Sequence, residues 1–209
     1  MLKSIKPLLL SAILLLTAPA FAADPGPDEI LRSVTDEVVT MIKRDQDLQA
    51  GDRQKAYNLV ETKIVPHFDF TRMTRLALGK NWNKATPEQQ SQVVDAFRNL
   101  LVRTYSSALS RFRNQNITYK PWAGSATDAN TNVQSLVSDG SRTIPLDYAM
   151  AREDNTWKVY DIKVDGISLV TNYRADFTDR VTAGGIDGLI KDLQDKARAA
   201  ETAKPAKKG

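Results

Sequence analysis

Residues 156–177 read TWKVYDIKVDGISLVTNYRADF, and the period of their apolar residues changes in the middle. From Thr156 to Val164 the residues alternate as in a strand, with Tyr160, Ile162 and Val164 on one face and Trp157 and Val159 on the other. From Leu169 on they recur at helical spacing, at Leu169, Val170, Tyr173, Phe177 and Val181. Asp165-Gly166 is a turn signal between the two halves, and Ser168 is placed to cap the helix. A long strand therefore runs straight into a helix. The rest of the chain has to supply strands that pair with the first half and helices that cover the sheet.

Those strands lie immediately upstream. Residues 117–122, 132–138 and 143–152 have strand character and are separated by turn signals such as Asp139-Gly140-Ser141. In the third run Ile144, Leu146, Tyr148 and Met150 alternate with Pro145, Asp147, Ala149 and Ala151, which gives one bulky apolar face. Short connections predict an antiparallel meander of about four strands, so the fold class is α+β.

The covering helices come next. Thr86-Pro87-Glu88-Gln89 joins a capping threonine, a proline at the first helical position and a glutamine three residues on. From there Val93, Val94, Phe97, Leu100, Leu101, Tyr105, Ala108, Leu109 and Phe112 extend a stripe of about seven turns. Ahead of it are three shorter helices. One carries Ile30, Leu31, Val34, Val38 and Ile42, one is capped by Asp52 and stopped by Pro66, and one is capped by Asp69. After Gly184-Gly185, a last helix carries Ile186, Leu189, Ile190, Leu193 and Ala197.

The ends suggest a compartment. Lys3 and Lys6, the apolar run 8–16 and Ala20-Phe21-Ala22 form a cleavable export signal over 1–22, too short to span a membrane. The sequence contains no cysteine, so lipoprotein processing and disulfides are both excluded. Residues 23–200 are expected to form a single domain, and 201–209 a flexible basic tail. Without the signal the formal charge falls from +4 to +2. That surplus is too weak for a nucleic-acid-binding face.

Catalytic material is scarce. His67 is the only histidine, and with no cysteine there is neither a two-histidine metal site nor a thiol nucleophile. No phosphate-binding glycine loop or nucleophile elbow occurs. Asp147 and Asp161 read as solvated strand residues, and Arg174 and Arg180 as the exposed side of a helix. What the sequence has in quantity is apolar surface: Phe97, Leu101 and Tyr105 on the long helix, Leu146, Tyr148, Met150, Tyr160 and Ile162 on strands, and Val170 and Tyr173 beyond them. Spacing alone leaves open whether these residues fill a solid core or line a hollow one.

Several runs, in order, carry a family resemblance: Leu78-Gly79-Lys80-Asn81-Trp82, Ala85-Thr86-Pro87-Glu88-Gln89, Ala96-Phe97-Arg98 with Leu101 and Tyr105, Trp157-Lys158-Val159-Tyr160-Asp161, Asp165-Gly166-Ile167-Ser168-Leu169-Val170 and Gly185-Ile186-Asp187-Gly188-Leu189. Together they resemble the MlaC family of periplasmic phospholipid-binding proteins, the toluene-tolerance auxiliary proteins. The resemblance implies a curved sheet like that of nuclear transport factors, with added N-terminal helices and a deep apolar cavity for acyl chains. It also implies a periplasmic monomer whose partners are phospholipid as cargo, an inner-membrane ABC lipid transporter complex and an outer-membrane lipoprotein associated with porin. Cofactor and nucleic acid are not expected. The convergent set above becomes the candidate cavity lining, with Ile167 to Tyr173 nearest the mouth. Two other readings stand beside it: a small-molecule enzyme of the same fold, which would need Asp147 or Asp161 on the cavity wall, and a ligand-free adaptor with a solid interior.

Overall fold

Strands pair antiparallel in strict chain order: β1 (Asn116–Tyr119), β2 (Asn130–Ser138), β3 (Thr143–Glu153), β4 (Thr156–Val164) and β5 (Ile167–Ser168). The computed structural model describes residues 25–106, 115–125, 127–138, 140–154 and 156–202. The expected export signal over 1–22, the extension of the long helix to Ala108, Leu109 and Phe112, and most of the basic tail lie outside the described residues.

The two-residue β5 adds to the four strands expected. Asp165 and Gly166 both have positive φ, 51° and 80°. This is the requirement of a tight hairpin turn that matches strand twist, and it folds Val164 back onto Ile167. A second departure lies within β4. Met150 pairs with Val159 but Ala149 pairs with Asp161, so Tyr160 is an extra residue in a β-bulge. A bulge bends its strand and resets the alternation. The simple alternation expected for 156–164 is therefore corrected: Trp157, Val159 and Ile162 share one cluster, whereas Tyr160 packs into the helical one.

Local signals set the helices. In α1 (Pro27–Arg44), Leu31, Val38 and Ile42 form the buried stripe. The chain then breaks at Asp45, because that side chain caps the short α2 (Gln46–Ala50) through the amides of Asp47 and Leu48. Asp52 caps α3 (Arg53–Leu59), which runs on through a π turn over Val60–Ile64 and a 3-10 turn over Val65–His67. Asp69 caps α4 (Phe70–Leu78). At the start of α5 (Pro87–Ser106) the capping box forms reciprocally: Thr86 Oγ1 accepts from the Gln89 amide at 3.2 Å, and Gln89 Oε1 accepts from the Thr86 amide at 3.1 Å. The last helix, α6 (Leu169–Thr202), is two helices joined at Gly185, whose φ of 68° and ψ of −171° suit glycine alone.

These elements enclose three apolar clusters. The helical cluster joins α4, α5 and α6 around Phe97 and Phe177, both without accessible surface. Their rings meet edge-on at 5.0 Å, and Tyr173 meets Phe97 in the same way at 4.8 Å. Burying each phenylalanine is worth about 1.5–3 kcal/mol. The sheet cluster sets Leu31 of α1 against Tyr119, Val133, Met150, Trp157 and Val159. The third lies among α1, α2 and α3 around Ile42. Phe68 packs against both the helical and the sheet clusters, and the neighbouring Asp69 amide donates to the Val159 carbonyl at 2.9 Å.

Candidate functional site

The apolar residues singled out in the sequence do not all meet. Phe97, Leu101 and Val170 are fully packed in the helical cluster, with Tyr160 and Tyr173 at its partly buried margin. Met150, Tyr148 and Ile162 belong to the sheet cluster. Leu146 is half-buried, Tyr105 at the last described turn of α5 is 50% exposed, and Ile167 on β5 is 68% exposed.

One row across the sheet orders these environments. Tyr119, Ser135, Leu146, Val164 and Ile167 are successive cross-strand partners from β1 to β5. Tyr119 and Ser135 are buried, Leu146 is half-buried, Val164 is 45% exposed and Ile167 is more exposed still. Apolar surface thus emerges along the face that carries Tyr148 and Ile162. Val164, grouped in the sequence with Ile162 on one strand face, was not counted among the candidate lining residues.

Tyr148 has a mixed character. It keeps accessible surface, yet burial pushes its phenol above the ordinary tyrosine range. Its hydroxyl lies within reach of those of Ser135 and Tyr119. Tyr119 in turn reaches the Leu31 carbonyl at 3.3 Å and shares a 2.6 Å hydrogen bond with Thr35 Oγ1. Burial, with Tyr148 next to it, drives the Tyr119 phenol far up. On the helical side, burial and then the neighbouring Tyr105 and Asp176 push Tyr173 up to about 12.

The carboxylates have other tasks. Asp161, read as solvated from the sequence, is buried. Its two oxygens accept from the Val170 amide at 3.1 Å and the Ser168 hydroxyl at 2.6 Å, while Ser168 Oγ accepts from the Thr171 amide at 3.0 Å. Asp161 therefore anchors the start of α6, where the helix dipole favours a negative charge. Asp147 alternates with Tyr148 along β3 and lies across from Lys163, so it points away from the Tyr148 face. Neither aspartate stands on that wall as an enzyme of this fold would need. His67 sits in the 3-10 turn, with its pKa lowered by burial and by Lys158. Arg174 donates from Nε to the Leu76 carbonyl and ties α6 to α4. Among the described residues, no group of three or more acidic or histidine side chains is placed to hold a metal.

A shallow cavity of about 290 Å³ lies elsewhere, at the α6 kink, lined by Arg180, Gly184, Lys191, Asp192 and Asp195. Its charges are mutually paired, Arg180 with Asp192 at 2.9 Å and Lys191 with Asp195 at 2.8 Å. That lining does not suit an alkyl chain. No described helix is long and apolar enough to cross a membrane.

Comparison with known proteins places this geometry. The family described as MlaC protein matches residues 32–195. The toluene tolerance protein ttg2D of Pseudomonas putida is 24% identical over 200 residues, covering 92% of this chain and 91% of its own. The intermembrane phospholipid transport system binding protein MlaC of Haemophilus influenzae is 23% identical over 179 residues, covering 84% of each. Among solved structures, a phospholipid-binding protein from Ralstonia solanacearum, determined in complex with a phospholipid, is 41% identical with a TM-score of 0.76. The match spans 82% of this chain and 96% of that one.

Proposed function

Since the chain belongs to the MlaC family, we propose that it is a periplasmic phospholipid carrier that holds acyl chains against the sheet face bearing Leu146, Tyr148 and Ile162. The observation that carries this reading is the cross-strand row in which apolar surface passes from sealed at Tyr119 to open at Ile167. A cargo that is itself apolar completes that row, as the likeness to a relative solved with phospholipid supports. In this arrangement Leu146, Tyr148 and Ile162 touch the chains and Ile167 stands at the mouth, while Tyr105 and Tyr173 neighbour each other on the helical side. Phe97, Leu101, Met150, Tyr160 and Val170 form the packed backing that keeps the wall rigid.

The chemistry required is that of a container. At ~0.8 kcal/mol per methylene, two acyl chains in water cost on the order of 20 kcal/mol, so unassisted transfer between membranes is slow. A carrier needs only an interior about as favourable as the bilayer, and no catalytic group. The family membership further supports a monomer that exchanges lipid with an inner-membrane ABC transporter complex and with an outer-membrane lipoprotein associated with porin, maintaining outer-membrane lipid asymmetry. Export through cleavage near Ala22 belongs to the same reading.

Native mass spectrometry of protein purified without detergent tests it. Phospholipid is expected to copurify with the chain and to be lost from a folded Leu146→Glu variant. A chain that arrives empty and takes no lipid from vesicles overturns the proposal.

A further inference from the structure

Within the apolar sheet face lies a run of hydroxyl groups drawn from three strands and one helix. Thr35 on α1, Tyr119 on β1, Ser135 on β2 and Tyr148 on β3 stand side by side, although the first two are 84 residues apart in sequence. The Tyr119 and Tyr148 rings lie 6.4 Å apart. Packing does not require this arrangement. Phenylalanine, valine and alanine would fill the same volumes and avoid the desolvation of four hydroxyls.

The protons in this run can be followed. Tyr119 Oη lies 3.3 Å from the Leu31 carbonyl and 2.6 Å from Thr35 Oγ1, so its proton goes to one of these two oxygens. Ser135 points its proton at the Leu146 carbonyl across a long 3.5 Å. Each of these hydroxyls therefore spends its hydrogen on a fixed protein oxygen or on the next hydroxyl. Tyr148 differs, because the only side-chain hydrogen-bonding partners of its hydroxyl among the described residues are the hydroxyls of Ser135 and Tyr119, and it keeps accessible surface where those two residues are buried. No carbonyl or carboxylate among the described residues is placed to hold the Tyr148 proton, so it is available to an acceptor that arrives on the open face.

We propose that Tyr148, held in place by Tyr119, Ser135 and Thr35, donates a hydrogen bond to an ester carbonyl of a bound glycerolipid, so that the site recognises the acyl ester linkage itself as well as the hydrocarbon. This rests on the carrier reading and adds to it a polar fixed point within a greasy wall. Hydrocarbon contacts are non-directional and let a chain slide. A single directional bond defines how deep the glycerol backbone sits, and so how much of each chain the wall must cover. Tyr148 is the residue in contact with lipid, and Tyr119 and Thr35 position it.

The test compares two phospholipids with the same headgroup and equal chain length, one a diester and the other a dialkyl ether that lacks both carbonyls. Detergent-free full-length protein is stripped of lipid and offered equimolar mixed vesicles, and the lipid it takes up is quantified by mass spectrometry. The unaltered chain is expected to favour the ester by about fivefold, the worth of one net hydrogen bond. The Tyr148→Phe variant, which keeps the ring and the wall, is expected to take up both lipids equally. Equal loading by the unaltered chain overturns the proposal, as does an undiminished ester preference in Tyr148→Phe. Uptake of neither lipid by the unaltered chain would instead remove the carrier reading, so the two failures are distinguishable.

Discussion

Asp161→Ala should be among the most damaging single changes to a charged residue in this protein. Asp161 is 9% exposed and accepts two hydrogen bonds at the start of α6, from the buried Val170 amide and from the Ser168 hydroxyl. Losing the hydrogen bond from Ser168 costs about 1 kcal/mol. The Val170 amide is left buried without an acceptor, which adds about 1–3 kcal/mol. The expected loss is therefore about 2–4 kcal/mol, a large part of the stability of an ordinary domain. Asp161→Asn keeps one acceptor oxygen and should lose about half as much. Asp165→Asn is the control, since Asp165 is exposed in the β4–β5 turn and asparagine tolerates its positive φ. It should change stability by less than about 0.5 kcal/mol. Equilibrium urea unfolding, followed by tryptophan fluorescence and far-ultraviolet circular dichroism, gives these differences if the slopes match. Should Asp161→Ala unfold within 0.5 kcal/mol of the parent, or no earlier than Asp165→Asn, the anchoring role assigned to Asp161 is wrong.

Three further outcomes follow from the same coordinates. Gly185→Ala should lower the melting temperature, because φ 68° and ψ −171° cost a side chain about 1–3 kcal/mol even with open space around it; Gly184→Ala, one residue earlier in the helix, should be neutral or stabilising. Tyr119→Phe should cost about 1 kcal/mol in denaturant titrations, since it removes the hydroxyl that bonds Thr35 Oγ1 and reaches the Leu31 carbonyl of α1. For Asp176, burial would raise the pKa, but hydrogen bonds and charge from Lys196 and then Arg180 outweigh it and hold the group below its ordinary value. Its contribution to stability is present above the unfolded pKa of about 4 and is lost as pH falls through the lower folded value; melts between neutral and strongly acidic pH should show a shallower acid decline in Asp176→Asn.

The sequence by itself determined the features whose partners are close neighbours in the chain. The Thr86–Gln89 capping box, the Asp52 and Asp69 caps, Ser168 at the start of α6, the break at Gly184-Gly185 and the meander of adjacent strands all depend on groups a few residues apart, and each stands in the structure where the residues indicated. The ordered motifs also identified the family. Tertiary structure alone decided the rest. The bulge at Tyr160 exists because β4 pairs with β3 at two different offsets, and no alternation of types within β4 encodes that shift. Its effect is to send Tyr160 and Ile162 into different clusters, splitting a set of residues that spacing had grouped. Asp161 looks like any strand aspartate until the chain returns nine residues later and presents the Val170 amide to it. The hydroxyl run is less legible still, because Thr35 meets Tyr119 across 84 residues. Local hydrogen bonding is written in residue type and spacing; burial, register and long-range polar contacts are properties of the assembled chain, because each residue's environment is made by residues distant in sequence.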